Sequence, residues 1–338
     1  MDLDDYFDPG PHHPAYHLVK HIGLDKKILD NIKSARNLMV TTPVFRNELL
    51  KFNKNIVILP NTIDPAEDQY KIKPVEKVDD RIRIGYLGGS SHEYDLEPLR
   101  LNVKKLHGEK LTDKLRFYVC GYDLRGPKTE INKETGQKTE TPIQPKESVW
   151  FRYEQIFTDN FTTISPKYKE WLMNFQKNGE YNYINESYAR VWTKPISTYA
   201  TNYNQFDIAL APIEENIFNK VKSQLKVIES GFFKKALIAQ NYGPYKIDCI
   251  NAWDKGSWNP KGNALLVDSA KNHKEWYEHI KRLIKNPNAI VDLGEKLYET
   301  VKNKYHIDII TEQRKDYYLS LLNDDVKNYI KHHDLVIK

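Results

Sequence analysis

Phe206-Asp207-Ile208-Ala209-Leu210-Ala211-Pro212-Ile213-Glu214-Glu215-Asn216 leads, one residue later, into Phe218-Asn219-Lys220-Val221-Lys222-Ser223-Gln224-Leu225-Lys226-Val227-Ile228-Glu229. The first run is continuously apolar and stops at a proline and two carboxylates, the pattern of a strand buried on both faces. The second carries a helical period. On a helix over Ser223–Phe233, Ser223, Lys226 and Glu229 fall at i, i+3 and i+6 and share a face, with Lys222 beside them. Leu225, Ile228 and Phe232 lie on another face and pack inward. The polar stripe has two readings. It is a Lys226–Glu229 helical pair on a solvated surface, worth about 0.2–0.5 kcal/mol. Or it is a cationic, hydroxyl-bearing cradle for a diphosphate, with Glu229 one turn further in to accept ribose hydroxyls.

The same alternation extends outward in both directions. Apolar β-type runs occur at Leu38–Thr42, Ile56–Leu59, Ile82–Leu87, Leu115–Cys120, Ala236–Ala239 and Ala264–Val267. Helical patterns lie between them near Lys26–Ala35, Val44–Phe52, Leu96–Leu106, Trp276–Ile284 and Ile290–Tyr305. Strands alternating with helices predict an α/β fold with a Rossmann-like, doubly wound parallel sheet. From Tyr122 to Tyr203 the rhythm breaks. Polar flanks at Lys128–Ile131 and Lys138–Thr141 around Glu134-Thr135-Gly136-Gln137 predict a hairpin, and Trp150–Trp192 is aromatic-rich and partly helical. This stretch reads as an insertion at 122–203. After Asn323, Val326, Tyr329 and Ile330 stand at helical spacing in a charged tail, either a last helix or a contact surface.

A second chemical signal is Ile84-Gly85-Tyr86-Leu87-Gly88-Gly89-Ser90-Ser91-His92-Glu93. A buried strand runs into two glycines and then a helix start. Ser90 with Glu93 three residues on matches a capping box and predicts a helix N-terminus near Ser91. Glycines let backbone approach a ligand closely, and amides of a first helical turn favour phosphate; a tight turn with no ligand reads equally well. The third spaced glycine of a dinucleotide fingerprint is missing. Taken together, the glycine turn and the Glu214-Glu215 strand end both fall at carboxyl ends of parallel strands, where open α/β sheets bind ligands.

The bulk composition narrows the class. The chain has 338 residues, 40% hydrophobic and 29% charged, enough for one large or two ordinary domains. Lys+Arg of 51 against Asp+Glu of 46 leaves a net +5. The signs are interleaved rather than gathered in a patch, which argues against nucleic acid and for a small anionic ligand, with at most peripheral membrane contact. The two cysteines, Cys120 and Cys249, sit in or near apolar stretches and form no metal cluster, as expected of buried free thiols in a reducing compartment. No run is long enough to span a bilayer and Met1-Asp2-Leu3-Asp4-Asp5 is acidic where a signal peptide is basic, so the expected location is cytoplasmic.

Ala35–Pro43 followed by Leu59-Pro60-Asn61-Thr62-Ile63-Asp64 resembles the linker of family 4-type glycosyltransferases, which have the GT-B fold. Gly85–Asp95 resembles that family's glycine turn, and Asp207–Tyr245, with Gly243-Pro244-Tyr245, its donor segment. The likeness runs from about Asp2 to Leu322. It implies a sugar transferase that retains anomeric configuration, uses a nucleoside diphosphate sugar as donor, and needs no metal or other cofactor. Gly88, Gly89, Ser90 and His92 would border the sugar and diphosphate. Lys222, Ser223 and Lys226 would bind the diphosphate and Glu229 the ribose, while Glu214 or Glu215 would face the transferred sugar. Tyr94 departs from the family, where a basic residue is frequent, so the phosphate charge would rest on the two lysines. Asp4-Asp5 and Asp79-Asp80 lack the setting of a metal-binding acidic motif.

Met1–Pro14 resembles the end of the family's N-terminal acceptor domain. The resemblance thus divides the chain into a remnant of that domain at 1–60, a donor-binding domain at 61–322 and a tail at 323–338. A glycan is the expected acceptor, and a second chain or self-association would complete the acceptor half. Two alternatives stay open: a non-catalytic nucleotide-sugar-binding remnant, and a transferase acting on modified DNA bases.

Overall fold

The computed structural model describes residues 1–123, 127–132, 135–178, 186–323 and 325–336. Its strands, in chain order, are β1 Asp2–Leu3, β2 Leu38–Val40, β3 Ile56–Ile58, β4 Ile82–Leu87 and β5 Leu115–Tyr122. They continue with β6 Pro127–Ile131, β7 Lys138–Pro142, β8 Tyr188–Trp192, β9 Ile208–Ala211 and β10 Ala236–Gln240. The last are β11 Trp253–Asp254, β12 Ser257–Trp258 and β13 Leu265–Val267.

Six of these form the central sheet in the order β13-β10-β9-β4-β5-β8. Every pairing in it is parallel. Strands β9 and β10 are buried at every residue, which is why their sequence is a continuous apolar run rather than an alternating one. From β4 the chain moves outward through β5 to β8, then returns to β9 on the other side of β4. The crevice between β4 and β9 is therefore the topological switch point, where ligands bind in doubly wound sheets.

Helices cover both faces. On one, Leu99, Val103 and Leu106 meet Trp150, Tyr153, Trp276 and Ile280 over the sheet. On the other, Val227, Phe233 and Leu297 pack with Tyr203 and Phe206. Each such side chain, fully buried, contributes roughly 1.5–3 kcal/mol. The two cysteines are buried and free, as the sequence predicts.

A second parallel sheet, β1-β2-β3, stands at the N-terminus. Its core is Leu3, Ile32, Leu38, Val40, Phe45, Leu49, Ile56 and Ile58, joined by Val221 from the loop that carries Lys222. Helix Pro43–Leu49 starts there because Pro43 fills its first turn and the Thr42 hydroxyl accepts from the Phe45 amide at 3.1 Å. The C-terminus returns to this sheet: Val326, Tyr329 and Ile330, on helix Val326–Val336, pack with Val57, Leu59 and Tyr317.

The stretch 122–203 behaves differently from an excursion. The expected hairpin is there, with Lys128 opposite Thr141 and Ile131 opposite Lys138, while Glu134 of its turn lies outside the described residues. The remainder belongs to the main body. Helix Val149–Phe157 supplies four aromatic or aliphatic side chains to the core, and β8 pairs with β5 as an edge strand of the central sheet. A charge in the middle of Tyr188-Ala189-Arg190-Val191-Trp192 hides that strand from a hydropathy reading. Arg190 is accommodated by the buried Glu154 carboxylate at 2.5 Å, the Phe161 carbonyl and the Tyr168 ring 4.3 Å away. Among the described residues no helix is long and apolar enough to cross a membrane.

Candidate active site

At the switch point a cavity of about 510 Å³ opens between the carboxyl ends of β4 and β9. Gly88, Gly89 and His92 line it from the glycine turn, and Lys222, Ser223, Lys226 and Glu229 from the opposite wall. Segments more than a hundred residues apart in sequence thus face one space, as the diphosphate reading requires.

The glycine turn is held at both ends. The Gly88 amide donates to the Cys120 carbonyl at 3.3 Å, and the Tyr153 hydroxyl donates to the Gly89 carbonyl at 3.1 Å. Gly121, at φ +100°, closes the other side: a Cβ there would stand 2.4 Å from the Gly88 carbonyl oxygen. Glycine is required there on both counts, backbone angle and space.

The predicted capping box does not form. Gly89 precedes a single 3-10 turn, Ser90–His92, which runs into a four-residue helix, Glu93–Leu96, with no side-chain cap. Glu93 is instead drawn away by Arg152, and an ion pair to a guanidinium outcompetes a neutral amide. Ser90 accordingly sits exposed outside the cavity, and its neighbour Ser91 lines it.

Helix Leu225–Phe232 begins two residues after Ser223, so Lys222 and Ser223 precede its N-terminus and Lys226 sits in its first turn. Cations at a helix N-terminus oppose the macrodipole, and an anion placed among them reverses that penalty. The Lys226 ammonium donates to the Leu87 carbonyl and lies 5.0 Å from the Tyr86 ring. Burial lowers its pKa, Glu229 and Asp95 oppose the shift, and Lys222 adds to it. Lys222 lies 5.0 Å from the Phe218 ring.

Glu229 is buried at the inner end, where the Tyr199 and Tyr203 hydroxyls both donate to its carboxylate. Burial raises its pKa against the opposing pull of the two tyrosines and Lys226. A carboxylate so oriented presents its remaining lone pairs in a fixed direction, which suits a vicinal diol.

His92 is tied by Nδ1 to Asp95 Oδ2 at 2.6 Å, and burial lowers its pKa, so it is neutral near pH 7. Asp95 also accepts the Glu214 amide at 2.7 Å and the Asn219 side-chain amide at 3.1 Å through Oδ1. One buried aspartate thereby locks the glycine turn to the loop after β9.

The strand-end carboxylates do not enter this cavity. Glu215 is exposed and accepts from Gln240 at 2.9 Å. Glu214 turns toward the N-terminal segment, with one oxygen on His12 Nδ1 at 2.7 Å and the other accepting from Asn216 at 3.0 Å. The expectation that either faces the transferred sugar gives way to this geometry: hydrogen bonds on the β9 loop point both away.

Sequence reasoning missed the residues brought in by the first sheet. Asp4, Asp5 and His13 line the same cavity across from the lysines. The Asp5 carboxyl is raised by burial, countered by Lys222, His13 and His92, which shows how closely these charges converge. The acidic Asp4-Asp5 pair at a strand end was the available signal. Thr193 and Lys194, just past β8, close the far end, and no sequence motif marks them.

No protein-family model matches the chain, and no curated protein matches it by sequence. Solved structures do. The chain is similar to HepE of Anabaena in complex with UDP and glucose, at TM-score 0.56 and 11% identity over 95% of this chain and 71% of that one. It is similar to OtsA in its apo form, at TM-score 0.56 and 12% identity over 95% and 66%. A third is sucrose-phosphate synthase from Thermosynechococcus elongatus, at TM-score 0.54 and 14% identity over 90% and 62%. The chain thus spans less than two thirds of the last two proteins. These neighbours are GT-B glycosyltransferases, and at such identities the likeness shows the fold and nothing finer.

Proposed function

We propose that the chain is a glycosyltransferase whose main cavity binds a nucleoside diphosphate sugar. The observation that carries this is the convergence of Lys222, Ser223 and Lys226 with the Gly88–Gly89 turn around one space, with Glu229 at its inner end. Two lysines placed before and within the first turn of a helix leave a positive site that a diphosphate neutralises. HepE, a neighbour in fold, is described in complex with UDP-glucose, which makes that donor the first to try.

In the proposed reaction the bond from the anomeric carbon to the diphosphate oxygen breaks, and its electron pair leaves with the diphosphate. Lys222 and Lys226 stabilise the charge that grows there. The acceptor hydroxyl forms the new bond to the anomeric carbon and passes its proton to the departing diphosphate oxygen. Neutral His92, its Nδ1–H donated to Asp95, borders the sugar and accepts a hydroxyl hydrogen bond through Nε2 without adding charge. The family resemblance supports retention of configuration, a reaction without metal and a glycan acceptor.

Calorimetry with UDP-, GDP- and dTDP-sugars tests the reading on the folded chain. Binding of at least one at micromolar to millimolar concentration is the expected outcome. If none binds at millimolar concentration, the donor assignment fails.

A further inference from the structure

A second, smaller cavity of about 170 Å³ adjoins the first and shares His13, Ser91, Asp95 and Lys222 with it as a common wall. Its other walls come from two separate parts of the molecule. The segment Gly10–His13 forms one side; Tyr94, Glu214, Asn216 and Asn219 form the other. We propose that this cavity is the acceptor subsite and takes the hydroxyl-rich, uncharged end of a sugar; the proposal rests on the donor reading of the larger cavity.

Three observations support it. The first is contiguity: a ligand seated here lies against the wall, formed in part by Ser91 and Asp95, that also bounds the donor space. The second is chemistry. An aromatic ring beside a carboxylate and side-chain amides gives an apolar plate edged with hydrogen-bonding groups, which matches a pyranose, apolar on its faces and polar at its rim. Two carboxylates, Glu214 and Asp95, outnumber the single lysine, Lys222, in its lining, so the cavity offers no net positive charge to an anionic acceptor. The volume admits about five or six water-sized groups, enough for one terminal ring and too little for a long glycan.

The third is preorganisation. His12 stacks on Tyr94 with centroids 3.8 Å apart and planes 10° from parallel, while its Nδ1 bonds Glu214 at 2.7 Å. With Nδ1–H donated to that carboxylate, His12 keeps Nε2 as a lone-pair acceptor for a ligand hydroxyl. Each Glu214 oxygen holds one partner and retains a free acceptor position. This gives Glu214 a role on the acceptor side, where the sequence pointed to the donor.

The test uses saturation-transfer NMR on the full chain in the presence of saturating UDP. The probes are methyl α-D-glucopyranoside, methyl β-D-glucopyranoside and methyl α-D-mannopyranoside. At least one glycoside gives a transfer signal in the parent chain. Tyr94→Ala, at a partly exposed position, and Glu214→Gln each lower it by roughly five- to tenfold, while the UDP signals persist in both and melting curves match the parent. Glycoside signals unchanged in both variants overturn the proposal, as does the absence of any glycoside signal while UDP binds. Failure of UDP itself to bind strikes the donor reading instead, and the acceptor assignment falls with it.

Discussion

Two cavities of about 510 Å³ open at opposite edges of the central sheet, and they differ in how their charges are spent. At the amino edge, Lys77, Arg81, Asp113, Lys114 and Asp207 line a space floored by Ile82, Ile284 and Ile290. Two of its cations are paired, Arg81 with Asp79 at 2.7 Å and Lys77 with Asp207 at 3.4 Å, and Asp207 also binds Arg83 at 2.8 Å. At the carboxyl edge, Lys222 and Lys226 sit in no salt bridge among the described residues. Lys226 is held by a backbone carbonyl, and its nearest carboxylates act only through space. Size therefore does not separate a binding site from a crevice here. What separates them is that Lys222 and Lys226, though carboxylates share their cavity, form no ion pair among the described residues and stand beside a fixed glycine turn.

The largest expected effect concerns the turn itself. Gly121→Ala places a Cβ 2.4 Å from the Gly88 carbonyl at a φ of +100°, and should cost about 2–4 kcal/mol of stability from strain and overpacking together. Gly89→Ala has nothing within 4 Å of the added Cβ and an ordinary extended backbone, so its melting temperature should stay close to the parent's. Equal melting of the two variants would show that the turn is not a rigid wall.

Next comes the charge contrast between the edges. Lys226→Ala should weaken binding of a nucleoside diphosphate by about 1.5–3 kcal/mol, the range of a charge-assisted hydrogen bond. Lys77→Ala, which removes a cation of the other cavity, should leave the same affinity unchanged. Calorimetry on both variants decides it: comparable losses would mean that overall charge, rather than this pocket, attracts the nucleotide.

How far the sequence reveals this contrast depends on the kind of signal. The strands that flank the switch point, β4 and β9, are buried on both faces and announce themselves as apolar runs, and the lysines of the 222–229 segment follow from helical spacing. Strand β8 stays hidden because Arg190 interrupts it, and only tertiary partners, Glu154 and an aromatic shell, make a buried arginine tolerable. Glu214 is legible as a strand-end carboxylate, but a strand end fixes an edge and not a direction; His12, two hundred residues earlier, sets the direction. Asp4, Asp5 and His13 reach the cavity from another sheet, so no local pattern could assign them. The capping box fails for the same reason, since Arg152 is far from Glu93 in sequence.

The smallest effect tests whether the amino edge is a purely structural crevice. Lys235, just before β10, has its pKa lowered to about 8, chiefly by burial and then by Arg83, with Asp207 opposing. Its ordinary value is 10.5, so between about pH 8 and 10.5 the unfolded chain holds a proton that the folded chain has released. Stability from this group therefore rises as pH climbs through that window, and below it the folded state carries the full cost of a charged, half-buried lysine. The shift corresponds to roughly 3 kcal/mol at most, and partial solvent access reduces the expected figure to about 1–2 kcal/mol. Lys235→Met should thus be more stable than the parent by about that amount at pH 7. The gap should close as pH approaches 10.5. Nucleotide affinity should not change, because the residue stands at the opposite edge from the lysines that hold the ligand. Denaturant unfolding of both proteins at pH 7 and pH 10 measures it. A gap that stays constant with pH would show that Lys235 is not desolvated. A loss of nucleotide binding would show that the two edges of the sheet are coupled.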